Sequence, residues 1–147
     1  MPGRQRVRAR KAEDNTLVRT SDAGTFKELL TTDDVDAAMK EAESGLTLVA
    51  INAVYGCAAG MARPGARIAL ENTSKRPNRL LTVFAEQDLE ATARMRSYFA
   101  DIPPSEPSFA VFKDGELVYF MPRHRIEGRD AQAVARDLGD VFDEFGE

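Results

Sequence analysis

The sequence predicts an α/β domain whose mixed sheet is covered by helices on both faces. Three observations predict it. Leu46 to Ala53 is a short, nearly continuous apolar run, the pattern of a central strand buried on both sides. A helical stretch and a second strand-like run, Leu80–Phe84, follow it and make a strand–helix–strand unit. Two more apolar runs, Ser108–Phe112 and Leu117–Met121, flank Lys113-Asp-Gly-Glu116, and Asp-Gly between apolar runs is a strong hairpin signal.

Residues 1–23 are polar, Arg-rich and aperiodic and are expected to be a disordered basic arm, leaving 24–147 as one domain. Thr25-Phe-Lys-Glu28 has the spacing of a capping box, so a short helical turn is expected there. Thr32 reads as the N-cap of the next helix, with Asp33 and Asp34 suiting its positive end. Val35, Ala38, Met39 and Ala42 recur at helical spacing and form its apolar stripe, and Ser44-Gly45 ends it.

After the first strand Gly56 breaks the pattern. Cys57 to Leu70 has helical character, interrupted at Pro64, which would leave the Gly60 carbonyl unbonded and kink the helix. Glu90–Phe99 reads as a helix presenting Met95, Tyr98 and Phe99 to a core. Pro103-Pro-Ser-Glu-Pro107 is a stiff turn before the hairpin. The last helix, Asp130–Phe145, gathers Ala131, Val134, Ala135, Leu138, Val141, Phe142 and Phe145 on one side. The order is helix, strand, helix, strand, helix, hairpin, helix, which leaves several topologies open.

Composition narrows the function. With 147 residues, 43% hydrophobic and 30% charged, the chain suits one core. Residues 1–11 carry a charge of +5 and the remainder −9, so the body is a poor nucleic-acid surface. Only the arm could touch nucleic acid or an anionic membrane, and a solvated tail is the plainer reading. No nucleic-acid or membrane partner is expected. No apolar stretch follows the basic start as a signal peptide requires, so a reducing cytoplasm is the expected home.

The chain holds one cysteine, Cys57. That excludes a disulfide or a CxxC redox pair within the chain, and a zinc site of several thiolates from one chain. Any redox chemistry at Cys57 needs a sulfur from another molecule. A lone cysteine more often packs as a small hydrophobe, but Gly56 before it and Ala58-Ala-Gly60 after it favour a functional position.

Asn52-Ala-Val-Tyr-Gly-Cys-Ala-Ala-Gly60, followed by Ala62-Arg-Pro-Gly65, resembles the active-site segment of the bacilliredoxin family. Thr82-Val-Phe-Ala-Glu-Gln-Asp88, Pro104-Ser-Glu-Pro-Ser108 and Pro122-Arg-His-Arg-Ile-Glu-Gly128 also match, in the family's order. The resemblance covers about residues 24 to 145. It implies a thioredoxin-like fold with a four-stranded mixed core sheet in the order 4-3-1-2. It implies a site at the start of the helix after the first core strand, and it puts Pro107 where such folds place a cis-proline beside the reactive sulfur.

The resemblance also implies thiol–disulfide exchange that removes bacillithiol or another small thiol from mixed disulfides on proteins. Family members typically carry Cys-Gly-Cys, in which the first cysteine attacks and the second resolves. Here Tyr55 stands in the first position and Cys57 in the second. The expected catalytic residue is therefore Cys57, with Tyr55, Gly56, Ala58, Arg63, Pro107 and His124 lining the site. A cysteine at a helix N-terminus meets unpaired N–H groups and the positive end of the dipole, which favour a thiolate. Arg63 would add positive potential, and Tyr55 would either hydrogen-bond the sulfur or cover it.

Two mechanisms fit one thiol. Cys57 can take up a small thiol that a second small thiol then releases, with no cofactor. Alternatively, a homodimer can offer two Cys57 thiols to an iron–sulfur cluster, although nothing in the chain supplies the other ligands. A third reading is a redox-inactive module that binds an extended peptide beside Tyr55 and Pro107. His124, the only histidine, suits a loop or interface; in the cluster Arg123-His-Arg125 it could help hold an anionic thiol. A lone histidine makes no metal site in one chain, and none is expected.

Overall fold

The computed structural model describes residues 26–147, and the expected basic arm lies outside the described residues. The elements are β1 (Lys27–Glu28), α1 (Thr32–Glu41), β2 (Leu46–Asn52), a π-helical turn (Ala58–Ala62) that runs into α2 (Arg63–Asn72), β3 (Arg79–Phe84), α3 (Leu89–Arg96), β4 (Ser108–Lys113), β5 (Glu116–Met121) and α4 (Ala131–Phe145). Short 3₁₀ turns follow α3 (Ser97–Phe99) and β5 (Arg123–Arg125). Among the described residues no helix is long and apolar enough to cross a membrane.

The sheet has five strands in the order β1-β3-β2-β4-β5, in place of the four-stranded sheet expected. β2 is parallel to β3 and antiparallel to β4, and β4 pairs antiparallel with β5. The additional strand is β1, where a helical turn was expected. Lys27 and Glu28 pair in parallel with Leu81 and Thr82, and the Leu29 N–H donates to the Thr82 carbonyl at 2.9 Å. The capping-box pattern loses to tertiary packing. Extended backbone sends Phe26 into the core on one face and Leu29 into the core on the other. A helical turn would have put both on one side.

All seven residues of β2 are buried, as the continuous apolar run predicts. Leu46, Leu48 and Ala50 pack with α2 and α4, while Val49 and Ile51 pack with α1 and α3. The helix stripes supply the other halves: Val35, Ala38, Met39 and Ala42 on one face, and Val134, Leu138, Val141 and Phe142 on the other. The 3₁₀ turn after α3 departs from expectation. Met95 and Phe99 are buried, but Tyr98 points outward and its hydroxyl donates to Asp36 Oδ1 at 2.7 Å.

The first helix starts one residue early. Thr31 is its N-cap: Thr31 Oγ1 accepts from the Asp34 N–H at 3.0 Å, and the Asp34 carboxylate accepts from the N–H groups of Leu30 and Thr31. The hairpin turn is as expected. Asp114 and Gly115 both have positive φ, at 50° and 87°, the geometry for which Asp-Gly is suited.

Asp36 joins α1 to α3. Arg94 donates to it at 2.8 and 2.9 Å, and these bonds, with the Tyr98 hydroxyl, hold its carboxyl down to about 2 from 3.8. A depressed carboxyl contributes stability above its unfolded value and loses it as pH falls through the folded value. Asp36→Asn is therefore expected to lower the melting temperature at neutral pH. The gap to wild type should close as pH falls from 3.8 toward about 2, read by circular dichroism melts at stepped pH. A gap independent of pH would assign the effect to packing.

Candidate active site

β2 leaves the sheet at Asn52, whose carbonyl accepts the Ala85 N–H at 3.0 Å. The chain then turns through Ala53, Val54, Tyr55 and Gly56 before the helix begins. Gly56 has φ +75°, a conformation that L side chains rarely adopt, and its carbonyl accepts from the N–H groups of Ala59 and Gly60 at 3.1 Å each. Cys57 is the N-cap of the π-helical turn; it is a free, half-buried cysteine whose side chain makes no capping bond. Ala58 next to it is fully buried.

The π-turn explains how helix and proline coexist. The Arg63 N–H bonds the Ala58 carbonyl five residues back, and Pro64 falls in the first turn of α2, where a missing N–H is tolerated. The π-turn precedes α2, and the helix changes pitch between them. The turn lies directly after Cys57.

Cys57 opens into a cleft of about 180 Å³ lined by Ala53, Tyr55, Gly56, Cys57, Glu86, Glu106, Pro107 and Arg123. The Glu106–Pro107 peptide is cis. The cleft thus unites four residues proposed from sequence, Tyr55, Gly56, Cys57 and Pro107, from two loops about fifty positions apart. Tyr55 is 62% exposed at its mouth. Arg63 lies elsewhere: it is 6% exposed and faces the end of β2 rather than the cleft. His124 lines a separate open groove of about 500 Å³ with Ile102, Pro103, Pro104, Ser105, Phe120 and Pro122.

Three charged cleft residues were not among those proposed as lining the site. Glu86 Oε1 accepts the Val54 N–H at 3.3 Å. Glu106 pairs with Arg96. Arg123 pairs with Glu127 at 3.1 Å, and its N–H donates to Ser105 Oγ at 2.7 Å. Each lies within one of the four segments that carry the resemblance, which is the signal that could have found them. Of the Arg123-His124-Arg125 cluster only Arg123 reaches the cleft. Arg125 and Arg129 instead bond Asp137 at 3.3 and 2.8 Å, and Arg129 foremost holds that carboxyl below the usual carboxylate range. Among the described residues no group of three or more His, Cys, Asp or Glu side chains is placed to hold a metal ion.

The family described as disulphide isomerase matches residues 15–146. A bacilliredoxin of Salinibacter ruber is 54% identical over 119 residues, covering 81% of this chain and 70% of that protein. The chain belongs to the bacilliredoxin family. A bacilliredoxin of Geobacillus kaustophilus is likewise 54% identical, over 83% of this chain and 82% of its own length. Among solved structures, thioredoxin O2 of Arabidopsis thaliana superposes with a TM-score of 0.56 at 17% identity, covering 83% of this chain and 95% of its own. Oxidised thioredoxin of Plasmodium falciparum gives 0.55 at 18% identity, covering 84% and 100%. These likenesses show the fold, which is thioredoxin-like. Bacilliredoxin membership and this fold together support a thiol–disulfide oxidoreductase-like role.

Proposed function

We propose that the protein exchanges thiols with protein–small-thiol mixed disulfides through Cys57 as its single sulfur. The observation that carries this reading is the placement of Cys57: half-buried at a helix start, in an open cleft shared with Tyr55 and Pro107.

The chemistry needs two small-thiol equivalents. The Cys57 thiolate attacks the small-thiol sulfur of the mixed disulfide. The protein–sulfur bond breaks, the partner leaves as a thiolate that takes up a proton, and Cys57 holds the small thiol as a new disulfide. A second small thiol, as its thiolate, attacks that adduct and frees Cys57, and the two small thiols depart joined as their disulfide. The partner is reduced by two electrons and the two small thiols are oxidised by two. Bacillithiol is the small thiol we propose. A cleft carrying both Arg123 and the carboxylates Glu86 and Glu106 suits a thiol with charged groups of both signs.

Mass spectrometry after incubation with oxidised bacillithiol, and separately with oxidised glutathione, tests this. The expected product is one adduct on Cys57, removed by free bacillithiol with turnover of a mixed-disulfide protein. A chain left unmodified by both would sink the reading. The Tyr55→Cys variant sharpens the test. It restores Cys-Gly-Cys, and the adduct should then resolve within the chain, giving the mass of an internal disulfide before any second thiol is added. Persistence of the adduct in that variant would show that position 55 cannot reach the sulfur.

One observation favours a second reading, a redox-inactive module that binds an extended peptide: a large exposed aromatic, Tyr55, stands where the attacking cysteine is expected. That module would bind a cleft-directed peptide equally well before and after Cys57→Ser.

A further inference from the structure

Buried backbone N–H and C=O groups must find partners, and a segment that leaves a sheet loses its ladder partners. Ala53 and Val54 are such a segment; both are buried, and they stand between the end of β2 and the turn to Cys57. All four of their main-chain polar groups are bonded by side chains. The Ala53 N–H donates to Asn52 Oδ1 at 2.9 Å. The Ala53 carbonyl accepts from Arg63 Nη1 at 2.6 Å, and the Val54 carbonyl from Arg63 Nη2 at 3.0 Å. The Val54 N–H donates to Glu86 Oε1 at 3.3 Å.

The three side chains come from three elements. Asn52 closes β2, Arg63 opens α2, and Glu86 follows β3. They are also linked. Arg63 Nη1 donates to Asn52 Oδ1 at 3.1 Å, and Asn52 Nδ2 reaches Thr82 Oγ1 on β3 at 3.5 Å. Asn52 is 3% exposed and Arg63 6%. A guanidinium presents parallel N–H donors in a rigid plane, so two successive carbonyls can be held at once; a lysine ammonium is a point charge on a flexible stem.

We propose that Arg63 is a positioning residue, whose planar fork, with Asn52 and Glu86, sets the path of the chain into Cys57 and so aims its sulfur at the cleft. This rests on the exchange reading above and deepens it. Arg63 acts through the backbone of Ala53 and Val54, without touching the substrate. Its role is geometric, so keeping the positive charge is not enough.

Turnover of a mixed-disulfide protein is measured for wild type, Arg63→Lys and Arg63→Ala, scaled to the folded fraction. Both variants should lose about 100-fold in kcat, the loss expected of an ångström-scale misplacement, with KM for the small thiol near wild type. Millimolar guanidinium should restore part of the rate to Arg63→Ala. Full activity in Arg63→Lys would overturn the geometric role. So would a matching fall in folded-fraction kcat for Leu70→Ala, a core truncation on the same helix. If the Arg63 variants fail to fold, the exposed Glu86 serves: Glu86→Ala and Glu86→Gln both remove the cleft carboxylate, and at saturating small thiol Glu86→Ala should have a lower kcat than Glu86→Gln, which keeps the acceptor for Val54. Equal rates for these two would overturn the proposal. If wild type shows no turnover, the exchange reading fails by itself. The clamp is then judged on alkylation of Cys57 by iodoacetamide, with Arg63→Lys differing from wild type if the proposal holds and matching it if not.

Discussion

Replacing Cys57 by serine is expected to abolish both the small-thiol adduct and the turnover of mixed-disulfide substrates. The physical reason is that exchange needs a sulfur nucleophile able to form and break an S–S bond, and a serine hydroxyl can do neither. The chain has no other cysteine, so no second thiol can take over. The substitution is nearly isosteric. Cys57 is only half-buried and its side chain makes no capping bond, so the fold should change in stability by about 1 kcal/mol or less. Adduct mass, turnover and a thermal melt on the same preparation separate loss of chemistry from loss of fold. Turnover at the wild-type rate in Cys57→Ser would move the chemistry away from this sulfur altogether.

The largest expected effect on stability comes from a single methyl group. Gly65 lies on α2, two residues after Arg63, where α2 packs against α4. A Cβ there would stand 2.6 Å from Val134 Cγ1, 2.7 Å from Val134 Cβ and 3.0 Å from the Ala131 carbonyl. Rotating the valine cannot relieve a contact with its own Cβ, so one helix must move. Overpacking of this kind costs about 1–3 kcal/mol, against a total stability of about 5–15 kcal/mol for a typical domain. Gly65→Ala is therefore expected to lower the denaturation midpoint markedly. Val134→Ala truncates the colliding side chain, and the double variant should recover part of the loss. A chemical-denaturation cycle over the four proteins measures this coupling, which is expected to be favourable. Strict additivity would mean that the two helices part without meeting at this point.

Much of the architecture is legible because it is local or periodic. The seven buried residues of β2 announce themselves as a nearly continuous apolar run, broken only by Thr47 and Asn52. The stripe on α1 and the apolar side of α4 follow from helical spacing, and Asp114-Gly115 needs only the turn it forms. The errors occur where a local rule competes with a distant partner. The pattern at Thr25–Glu28 satisfies a capping box, but the open edge of β3 offers Lys27 and Glu28 ladder bonds instead. Tyr98 has the spacing of a core residue, yet its hydroxyl is better served at the surface by Asp36, which Arg94 also bonds.

The site divides in the same way. Cys57, Gly56 and Tyr55 are neighbours in sequence, and Pro107 was reachable through resemblance. Glu86 and Glu106 are not singled out by sequence, and Arg123 is named only with His124 and Arg125 as a cluster for an anionic thiol, because a charged residue in a loop carries no sign of which cleft it faces. Arg63 was placed near the sulfur as a source of charge, and its bonds instead run inward to Ala53 and Val54. Nothing in a one-dimensional pattern distinguishes an arginine that faces a cleft from one that holds a backbone.

By itself, then, the amino-acid sequence determined the class of fold, the position of each main element and the single sulfur on which any exchange chemistry must rest. These depend on hydrophobic periodicity, turn residues and composition, which are written along the chain. Only the tertiary structure decided the fifth strand, the inward bonds of Arg63 and the set of charges around Cys57. These depend on which unsatisfied backbone and side-chain groups meet once β2, β3 and α2 converge. That meeting arises from contacts distant in sequence and leaves no periodic trace.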